Sequence, residues 1–335
     1  MKITICGGGS LGHVCAGVLS SHEDVEVCLL TNRPAQWSRR IEVADMAQKI
    51  YVADIAKVSN QPAEVIPDAD MVFICQPGFL IESTLQQIKP WLKEGAVVGS
   101  IVASTGFFFQ AHKILSDGVG LFGFQRTPFI ARVEEYGHSA RLLGYKSEVA
   151  IAVEGVADVE QFRKEVERLF ITPTILRNNH YEVSLTNSNP ILHTGRLYSM
   201  WHDWNGKVYD HNILFYKEWT DEASQLLIDM DAEFMRLLER LPVTKGAIPS
   251  LLEYYESTDA PSLTRKIASI AAFQTITSPM KQVEDGWVPD FASRYFTEDF
   301  PFGLKYIKDT AVECGVATPI IDKVLAWGLS RIEKR

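Results

Sequence analysis

The sequence predicts an α/β protein with two domains: a parallel-sheet domain over residues 1–174 and an all-α domain over residues 175–335. Three observations favour this fold class. The chain has 335 residues, whereas a single domain usually has about 100–200 residues. In the first part, short runs rich in Val and Ile alternate with helical patterns, which is typical of a parallel sheet covered by helices. After residue 174 the strand patterns fade and long helical patterns replace them.

The strands of the first domain are predicted from compact runs that are apolar on both faces, as buried parallel strands are. These runs are 2–6, 25–30, 71–75 and 97–101, with further strands expected at 121–125 and 148–153. Helices are expected at 11–19, 81–92 and 159–170. In the last of these, Val159, Phe162 and Val166 recur at spacings of three and four, which places them on one helical face.

The second domain shows its clearest helical period over residues 223–241. Leu227, Met230 and Phe234 fall on one face there, and acidic side chains fall on the other. Further helices are expected at 181–201, 262–273, 306–314 and 320–332. Pro319 directly precedes the last of them, where a missing N–H costs no helical hydrogen bond. The second half is therefore predicted to be all-α.

The composition is that of a globular protein, with 46% hydrophobic and 22% charged residues. It excludes a disordered chain, a collagen-like chain and a disulfide-rich miniprotein. The net charge of −9 argues against a surface that binds nucleic acid or an anionic membrane. Small-molecule substrates are therefore the expected partners, and a homodimer is left open.

The five cysteines are scattered along the chain and form no Cys-x-x-Cys pair. Cys6, Cys28 and Cys75 lie within predicted core strands, where a thiol behaves as a small apolar group. Such cysteines favour a reducing compartment. The chain shows no signal-peptide pattern and no apolar run of about 18 residues. The expected location is the cytoplasm.

A glycine-rich loop joins the first strand to the first helix. Gly7, Gly9 and Gly12 satisfy the Gly-x-Gly-x-x-Gly pattern, which provides a tight turn, close approach of a pyrophosphate and close packing of helix on strand. The helix behind the loop begins at Leu11, and its free N–H groups attract phosphate. The sequence therefore predicts a Rossmann-type dinucleotide-binding domain.

The end of the second strand decides between NAD and NADP. NAD-binding domains usually carry an Asp or Glu there, about 20 residues after the loop, which binds the ribose 2′-hydroxyl. This chain has Leu30-Thr31-Asn32-Arg33 and no carboxylate. Arg33 can bind a 2′-phosphate, with Arg39 or Arg40 adding charge. NADP is therefore expected, with NAD as the alternative. The expected cofactor-binding residues are Gly7, Gly9, Ser10, Leu11, Gly12, Thr31, Arg33 and Gln76.

Two segments of the second domain carry candidate catalytic groups. Residues 187–193 end at His193, and residues 287–304 contain Arg294 and Asp299. A His paired with a carboxylate can donate and accept a proton near neutral pH, and an Arg can bind a substrate carboxylate. Reduction of a 2-keto acid, or of its imine, requires these groups. By residue type alone, a structural histidine and a surface Arg–Asp ion pair remain the simpler explanation.

The same two segments resemble the opine dehydrogenases of the octopine and nopaline dehydrogenase type. Members carry an Asn-Pro-x-x-His segment, as residues 189–193 do, and a stretch close to Arg-Tyr-x-x-Glu-Asp-[Val/Ile/Phe]-Pro-[Tyr/Phe]-Gly-Leu, as residues 294–304 do. The resemblance covers nearly the whole chain. It departs at Thr194-Gly195, where the family often has a Pro, and at 127–132, where a related Pro-Trp-x-Cys-Arg pattern is partly kept.

The resemblance implies a helical domain like the C-terminal domain of 6-phosphogluconate dehydrogenase. It also implies a catalytic dyad of His193 and Asp299, with Arg294 and Asn189 binding substrate. The implied reaction is reductive condensation: an amino acid's α-amine attacks a 2-keto acid, water leaves, and NAD(P)H delivers hydride to the imine. His193 would protonate the departing oxygen and Asp299 would hold its tautomer, in a cleft between the domains. The aromatic residues that either line the amino-acid pocket or pack in the core are Trp201, Trp204, Tyr209, Trp219 and Trp287.

Other functions stay open. Reductases of the ketopantoate reductase type share this architecture but use a Lys on the first helix of the second domain, and residues 181–187 contain none. A simple 2-keto-acid reductase could use the same His–Asp–Arg set. A non-catalytic NADP-binding sensor would need neither His193 nor Asp299, and both are present. No metal is expected, because His193, His202 and His211 are nine residues apart and do not share a helical face.

Overall fold

The structure is a computed structural model that describes residues 1–332 of the chain. The chain divides into two compact units, one from Met1 to Ser184 and one from Leu185 onward. This division comes later than the boundary at 174 that the sequence suggests. Residues 174–176 pair with the sheet of the first unit, and a short helix follows them in the same unit. The first unit therefore extends beyond the expected domain end.

The strands of the first unit are rich in Val, Ile and Phe, as the apolar runs predict. They are β1 (Lys2–Cys6), β2 (Glu26–Leu30), β3 (Arg40–Asp45), β4 (Ile50–Asp54), β5 (Lys57–Ser59), β6 (Met71–Ile74), β7 (Val97–Ser100), β8 (Gly120–Phe124), β9 (Phe129–Glu135), β10 (Ser139–Tyr145), β11 (Val149–Glu154) and β12 (Thr174–Leu176). Eight of them form one sheet in the order β12-β11-β8-β7-β6-β1-β2-β5. Neighbours are parallel except β8 and β11, which are antiparallel. The parallel-rich sheet confirms the predicted fold class.

Helices cover both faces of this sheet. They are α1 (Ser10–Ser20), α2 (Pro62–Val65), α3 (Gly78–Ile88), α4 (Phe107–Ile114), α5 (Val159–Phe170) and α6 (Tyr181–Ser184). Side chains of β1 alternate between two cores: Ile3 and Ile5 pack with α1 and α5, whereas Cys6 packs with α3 and α4. Burial on both faces explains why the strands read as continuous apolar runs.

A second sheet, with the order β4-β3-β10-β9, was not predicted. Its strands alternate buried and exposed side chains: in β3, Ile41 and Val43 are buried, while Arg40 and Glu42 are exposed. Such strands bury one face only and lack the continuous apolar run. The buried face packs against α1, where Gly17 lies directly against Val43. The helix that follows the glycine-rich loop is therefore covered by both sheets.

The second unit is helical, as predicted, apart from one hairpin. Its helices are α7 (Thr194–Trp201), α8 (Asp221–Leu238), α9 (Leu251–Tyr254), α10 (Ala260–Ser269), α11 (Arg294–Thr297), α12 (Lys305–Glu313) and α13 (Pro319–Ile332). The hairpin pairs β13 (Met280–Val283) with β14 (Gly286–Pro289). The predicted helix 181–201 is interrupted between α6 and α7, because a wide turn at residues 188–193 separates them.

The core of the second unit forms around α8, whose Leu227, Met230 and Phe234 are fully buried. This helix contacts α7, α10 and α13. Trp201 is also fully buried and stacks on Phe296, so core packing explains it.

The predicted burial of Cys6, Cys28 and Cys75 is observed. All five cysteines are free thiols, and all except Cys314 are buried. Within residues 1–332, no helix combines the length and apolar character that crossing a membrane requires.

Candidate active site

The three glycines of the Gly-x-Gly-x-x-Gly motif shape the loop after β1. Gly7 has a φ of +129°, which favours glycine, and its N–H donates to the Leu30 carbonyl oxygen at 3.0 Å. A Cβ on Gly12 would overlap the Gly7 carbonyl oxygen, so α1 approaches β1 closely only without a side chain there. A Cβ on Gly9, by contrast, would meet no atom within 4 Å. The space in front of Gly9 can therefore take a phosphate, which fits a dinucleotide cofactor.

A cavity of about 410 Å³ opens beside this loop. Of the predicted cofactor-binding residues, it is lined by Gly7, Gly9, Thr31, Arg33 and Gln76. The remaining three do not line it. Ser10 accepts a hydrogen bond from the Val133 N–H at 3.1 Å, Leu11 packs against the core, and Gly12 is buried. Ser10 and Leu11 still place backbone N–H groups in the first turn of α1, where no helical acceptor reaches them.

The charge of this cavity comes from Arg33. No Asp or Glu among residues 1–332 lines it, and Arg33 is exposed with its guanidinium 5.8 Å from the centre of the Tyr136 ring. The expectation that Arg39 or Arg40 adds positive charge at this cavity is wrong. Arg39 donates to a backbone carbonyl at 2.6 Å and Arg40 pairs with Asp54 at 3.9 Å, and neither residue lines the cavity.

His193 lies at the end of a wide turn, Ser188–His193, that leads directly into α7. Pro190 within this turn has no N–H for an ordinary α-helical hydrogen bond, and the chain there winds as a π-helix. Asn187 fixes the start of the turn: its amide donates to Asp231 at 2.7 Å, in the buried interior of the unit. The imidazole is thus carried on an anchored backbone.

Asp299 directly precedes a second turn of the same kind, Phe300–Leu304, in which the Leu304 N–H donates to the Asp299 carbonyl oxygen at 2.8 Å. The two turns touch. A Cβ on Gly303 would come within 3.1 Å of the Pro190 ring, so glycine allows this contact. The Pro and Gly of the two sequence motifs therefore pack on one another and align the two side chains.

The His193 imidazole is hydrogen-bonded at both nitrogens. Nδ1 lies 2.8 Å from Oδ2 of Asp299, and Nε2 lies 3.0 Å from the Tyr216 hydroxyl oxygen. Because an ionised carboxylate only accepts, the network assigns the proton to Nδ1, and Nε2 accepts from Tyr216. The side chains of His193 and Asp299 are only 12% and 18% exposed. Solvent therefore screens this pair incompletely.

Tyr216 is held firmly beside the histidine. It is 6% exposed, and its ring stacks on Phe273 at 4.4 Å. The buried guanidinium of Arg196 donates to the carbonyl oxygens of Phe215 at 3.2 Å and Glu218 at 2.6 Å, on either side of Tyr216. Burial raises the pKa of the Tyr216 hydroxyl, with nearby acidic groups adding to the effect. The phenol is therefore neutral, and a donor, at physiological pH.

The other predicted site residues lie on the same two segments. Arg294 begins α11 and is exposed, and no ion pair to it occurs within the described part of the chain. The neighbouring Tyr295 ring lies 4.7 Å from the His193 ring. Burial, together with Asp299, raises the pKa of Tyr295. Asn189 lies exposed within the first turn.

Tyr216 and Arg196 are the residues that sequence reasoning missed. Arg196 lies one turn beyond His193 on α7, where it reads as an ordinary helical residue. Tyr216 lies in an irregular segment without helical or strand periodicity. The abundance of aromatic residues between Tyr209 and Trp219 was the one available signal, and it did not single out this tyrosine.

Comparison with known proteins identifies relatives for both units. Residues 176–330 match the family model of the NAD/NADP octopine/nopaline dehydrogenase alpha-helical domain, and residues 3–106 match that of ketopantoate reductase PanE/ApbA. The chain is 27% identical to an opine dehydrogenase of Haliotis discus hannai, covering 100% of this chain and 91% of the relative. It is 29% identical to a tauropine dehydrogenase of Arabella iricolor, covering 97% and 90%.

A solved structure of octopine dehydrogenase with NADH and pyruvate is similar throughout. It superposes with a TM-score of 0.89 at 25% sequence identity, covering 100% of this chain and 90% of the other. The helical-domain match spans both turns that carry His193 and Asp299. The chain is therefore similar over its whole length to the opine dehydrogenases, and it is an NAD(P)-dependent oxidoreductase acting on CH–NH bonds.

Proposed function

We propose that His193 and Asp299 perform the acid–base chemistry of a reductive condensation, with Tyr216 as a positioning residue. In this reaction the α-amine of an amino acid and the carbonyl of a 2-keto acid become a secondary amine. The observation that supports these roles is the hydrogen-bonded chain from Asp299 through His193 to Tyr216, which gives one imidazole a fixed tautomer and a fixed orientation.

The proton balance assigns His193 two tasks. The amino acid arrives as an ammonium ion and must lose a proton before it can attack the keto carbon. His193 Nε2 takes that proton, and Asp299 stabilises the resulting imidazolium. The alkoxide formed by the attack takes a proton from the attacking nitrogen and becomes the carbinolamine hydroxyl. The proton held by His193 then passes to this hydroxyl, which leaves as water. The iminium carbon receives the hydride that bound NAD(P)H supplies, and the amine takes its final proton from solvent.

Tyr216 acts as a positioning residue for this exchange. Its hydroxyl donates to Nε2 before substrate arrives, and this hydrogen bond is released when Nε2 takes the proton of the substrate. Because Asp299 and Tyr216 bind opposite nitrogens, the ring cannot rotate without breaking two hydrogen bonds. A preorganised base of this kind avoids the cost of ordering the side chain during the reaction.

Arg294 and Asn189 are proposed to bind the substrates. Arg294 is exposed on α11, five residues before Asp299, and its guanidinium suits the planar carboxylate of a 2-keto acid. Asn189 is exposed on the turn that carries His193 and offers an amide to a second polar group of the substrate.

NADPH is the proposed cofactor in preference to NADH. The cavity beside the glycine-rich loop is lined by Arg33 and, within residues 1–332, by no carboxylate. A ribose 2′-phosphate gains a charge-assisted hydrogen bond there, whereas a 2′-hydroxyl finds no carboxylate to accept its hydrogen bond. The free cysteines support a cytoplasmic location, and the proposed partners are the small-molecule substrates.

The decisive experiment is an oxidation assay of NADPH and NADH with pyruvate and related 2-keto acids, each with and without every common amino acid. Mass spectrometry identifies the product. Formation of a secondary amine that depends on both substrates supports the proposal. Oxidation at the same rate without any amino acid, giving a hydroxy acid, would instead identify a simple keto-acid reductase. His193→Ala provides the background rate.

A further inference from the structure

A second cluster of ligand-type side chains lies in the first unit, apart from the residues described above. His112 is in the last turn of α4, Glu154 is the last residue of β11, and His180 directly precedes α6. His112 Nε2 lies 2.6 Å from one Glu154 oxygen, and His180 Nδ1 lies 2.7 Å from the other. One ligand atom from each residue falls within 4.8 Å of the other two.

The cluster lies at the sheet edge opposite the glycine-rich loop. Glu154 pairs with Leu121, near the start of β8, because β11 runs antiparallel to β8. The loop at Gly7, by contrast, follows the carboxyl end of β1, a strand parallel to β8 through β6 and β7. A ligand held by this cluster is therefore remote from the cofactor cavity.

The charge of the cluster is uncompensated when both imidazoles are neutral. The Glu154 side chain is 31% exposed, and no Lys or Arg in the described chain forms an ion pair with it. Its two carboxylate oxygens accept hydrogen bonds from His112 and His180. Glu154 is thus an ionised ligand beside two imidazoles, without a permanent cation.

His180 is positioned rigidly by its neighbours. Its side chain is 14% exposed, and its ring stacks on Phe108 at 5.4 Å and lies 4.1 Å from the Tyr181 ring. His112, in contrast, is exposed on the solvent side of the cluster. One fixed imidazole, one partly buried carboxylate and one exposed imidazole make a ligand set that a small cation can reach from solvent.

We propose that His112, Glu154 and His180 bind one divalent transition-metal ion of the zinc class. Two imidazole nitrogens and a carboxylate are a common zinc ligand set, with water in the fourth position. Ligand atoms around tetrahedral zinc, at about 2.0–2.2 Å from the metal, are separated by roughly 3.3 Å. The His112 and Glu154 side chains therefore move apart by less than 1 Å from their hydrogen-bonded positions when the ion enters.

The ion joins three elements that are distant along the chain, so its role is structural. His112 precedes Glu154 by 42 residues, and Glu154 precedes His180 by 26. No ligand spacing in the sequence indicates such a site. Binding to the folded state alone stabilises it by mass action.

The test uses tag-free full-length protein that has been treated with a chelator and dialysed. Calorimetric titration with Zn²⁺ and elemental analysis after gel filtration measure the bound metal, and thermal unfolding with and without Zn²⁺ measures its effect on Tm. One equivalent of zinc and a rise in Tm are expected for the unmodified protein. His112→Ala and Glu154→Gln should each bind zinc at least tenfold more weakly and lose the rise in Tm.

His211→Ala is the matched control. His211 is an exposed histidine that also contacts two carboxylates, Asp210 at 2.6 Å and Glu218 at 3.2 Å, but it supplies no second imidazole. Zinc binding should be unchanged in this variant. NADPH binding, measured by fluorescence, verifies that each variant is folded. The absence of stoichiometric zinc binding, or zinc binding that His112→Ala and Glu154→Gln leave unchanged, would overturn the proposal and leave a hydrogen-bonded cluster only.

Discussion

The two hydrogen bonds of His193 have unequal consequences. Asp299 is charged and bonds the nitrogen that keeps its proton, so its loss removes both the orientation and the stabilisation of the imidazolium. Tyr216 is neutral and bonds the nitrogen that reacts, so its loss removes orientation only. Arg196 acts one step further away, through the backbone on either side of Tyr216.

Variants of these residues should rank accordingly. His193→Ala is expected to lower kcat by roughly 10²–10⁴-fold. Asp299→Asn should cause a large part of the same loss of kcat. The double variant should lose little more kcat than His193→Ala alone, because the effects of residues that act as a unit do not add. Tyr216→Phe should lower kcat about tenfold, as expected for one lost hydrogen bond.

Steady-state kinetics, with NADPH affinity measured separately, tests this ranking. The Kd for NADPH should stay near normal in all these variants, since the cofactor cavity is lined by residues of the first unit. Independent, multiplicative losses in the double variant would show that Asp299 serves elsewhere. An unchanged kcat in Tyr216→Phe would remove Tyr216 from the proposed machinery.

Arg33 should decide the choice between the two cofactors. Arg33→Ala is expected to remove most of the preference for NADPH over NADH, about 1–3 kcal/mol for a charge-assisted hydrogen bond. Fluorescence titration with both cofactors measures it. Arg40→Ala is the control, since Arg40 is exposed but pairs with Asp54 instead of lining the cavity. Equal affinity of the unmodified protein for both cofactors would contradict the prediction.

His13 should make stability depend on pH. It is fully buried; its Nδ1 lies 2.9 Å from the Gly9 carbonyl oxygen, and its Nε2 accepts from the Gly137 N–H at 2.7 Å. Burial lowers the pKa of His13 below 6.5, although the bond to Gly9 opposes this. As the pH falls below the ordinary pKa of histidine, His13 takes up a proton in the unfolded chain before it does so in the folded protein. The free energy of unfolding therefore falls as pH drops below that value.

The decrease in the free energy of unfolding that His13 causes should approach about 1.4 kcal/mol per pH unit, which is the limit for one proton. Urea unfolding at a series of pH values between pH 8 and pH 5 measures it. His13→Gln should show a shallower dependence than the unmodified protein, because glutamine does not titrate. His138→Gln, at an exposed histidine, controls for histidine loss in general. The same slope in His13→Gln and the unmodified protein would contradict this assignment.

At the level of elements, two glycines of the glycine-rich loop have different functions. Gly9→Val should abolish NADPH binding while the protein stays folded, because the new side chain projects into space where a phosphate would lie. Gly12→Ala should instead lower the stability of the fold, since its Cβ overlaps the Gly7 carbonyl oxygen. Thermal unfolding and NADPH titration on both variants distinguish the outcomes. Normal NADPH binding by Gly9→Val would mean that the loop is a turn only.

The sequence predicted those elements whose burial pattern is unambiguous. The runs at 2–6 and 97–101 are apolar on both faces and became β1 and β7. The second sheet escaped prediction because β3, for example, buries only alternate residues. The hairpin of β13 is hardly buried at all, so its strands carry no apolar signal. Strand pairing, which no local pattern encodes, is what organises these elements.

The candidate site was predictable to the extent that motifs mark it. Two short motifs named His193 and Asp299, and the structure places these residues in contact although they lie 106 residues apart. Tyr216 and Arg196 belong to no motif. Their positions depend on the packing of an irregular segment against α7, which is a tertiary property. Likewise, the contact between Pro190 and Gly303 becomes meaningful only when the two turns are seen together.

At the level of the whole molecule, the first unit should fold on its own. Both of its apolar cores, one on each face of the large sheet, consist of residues within Met1–Ser184. A fragment of residues 1–184 is expected to unfold cooperatively and to bind NADPH, but to show no turnover because His193 and Asp299 are absent. Circular dichroism and fluorescence titration test this. A fragment without a cooperative transition would contradict it, and Gly9→Val within the fragment controls for specific binding.

The position of α1 between two sheets has a consequence for cofactor affinity. The second sheet packs on this helix through Gly17 and Val43, and His13 ties its first turn to the Gly137 backbone of the same sheet. Folding therefore immobilises the phosphate-binding N–H groups before any ligand arrives. The conformational entropy of ordering the loop is lost in folding, so it does not oppose association, and the intrinsic affinity for a dinucleotide is correspondingly higher.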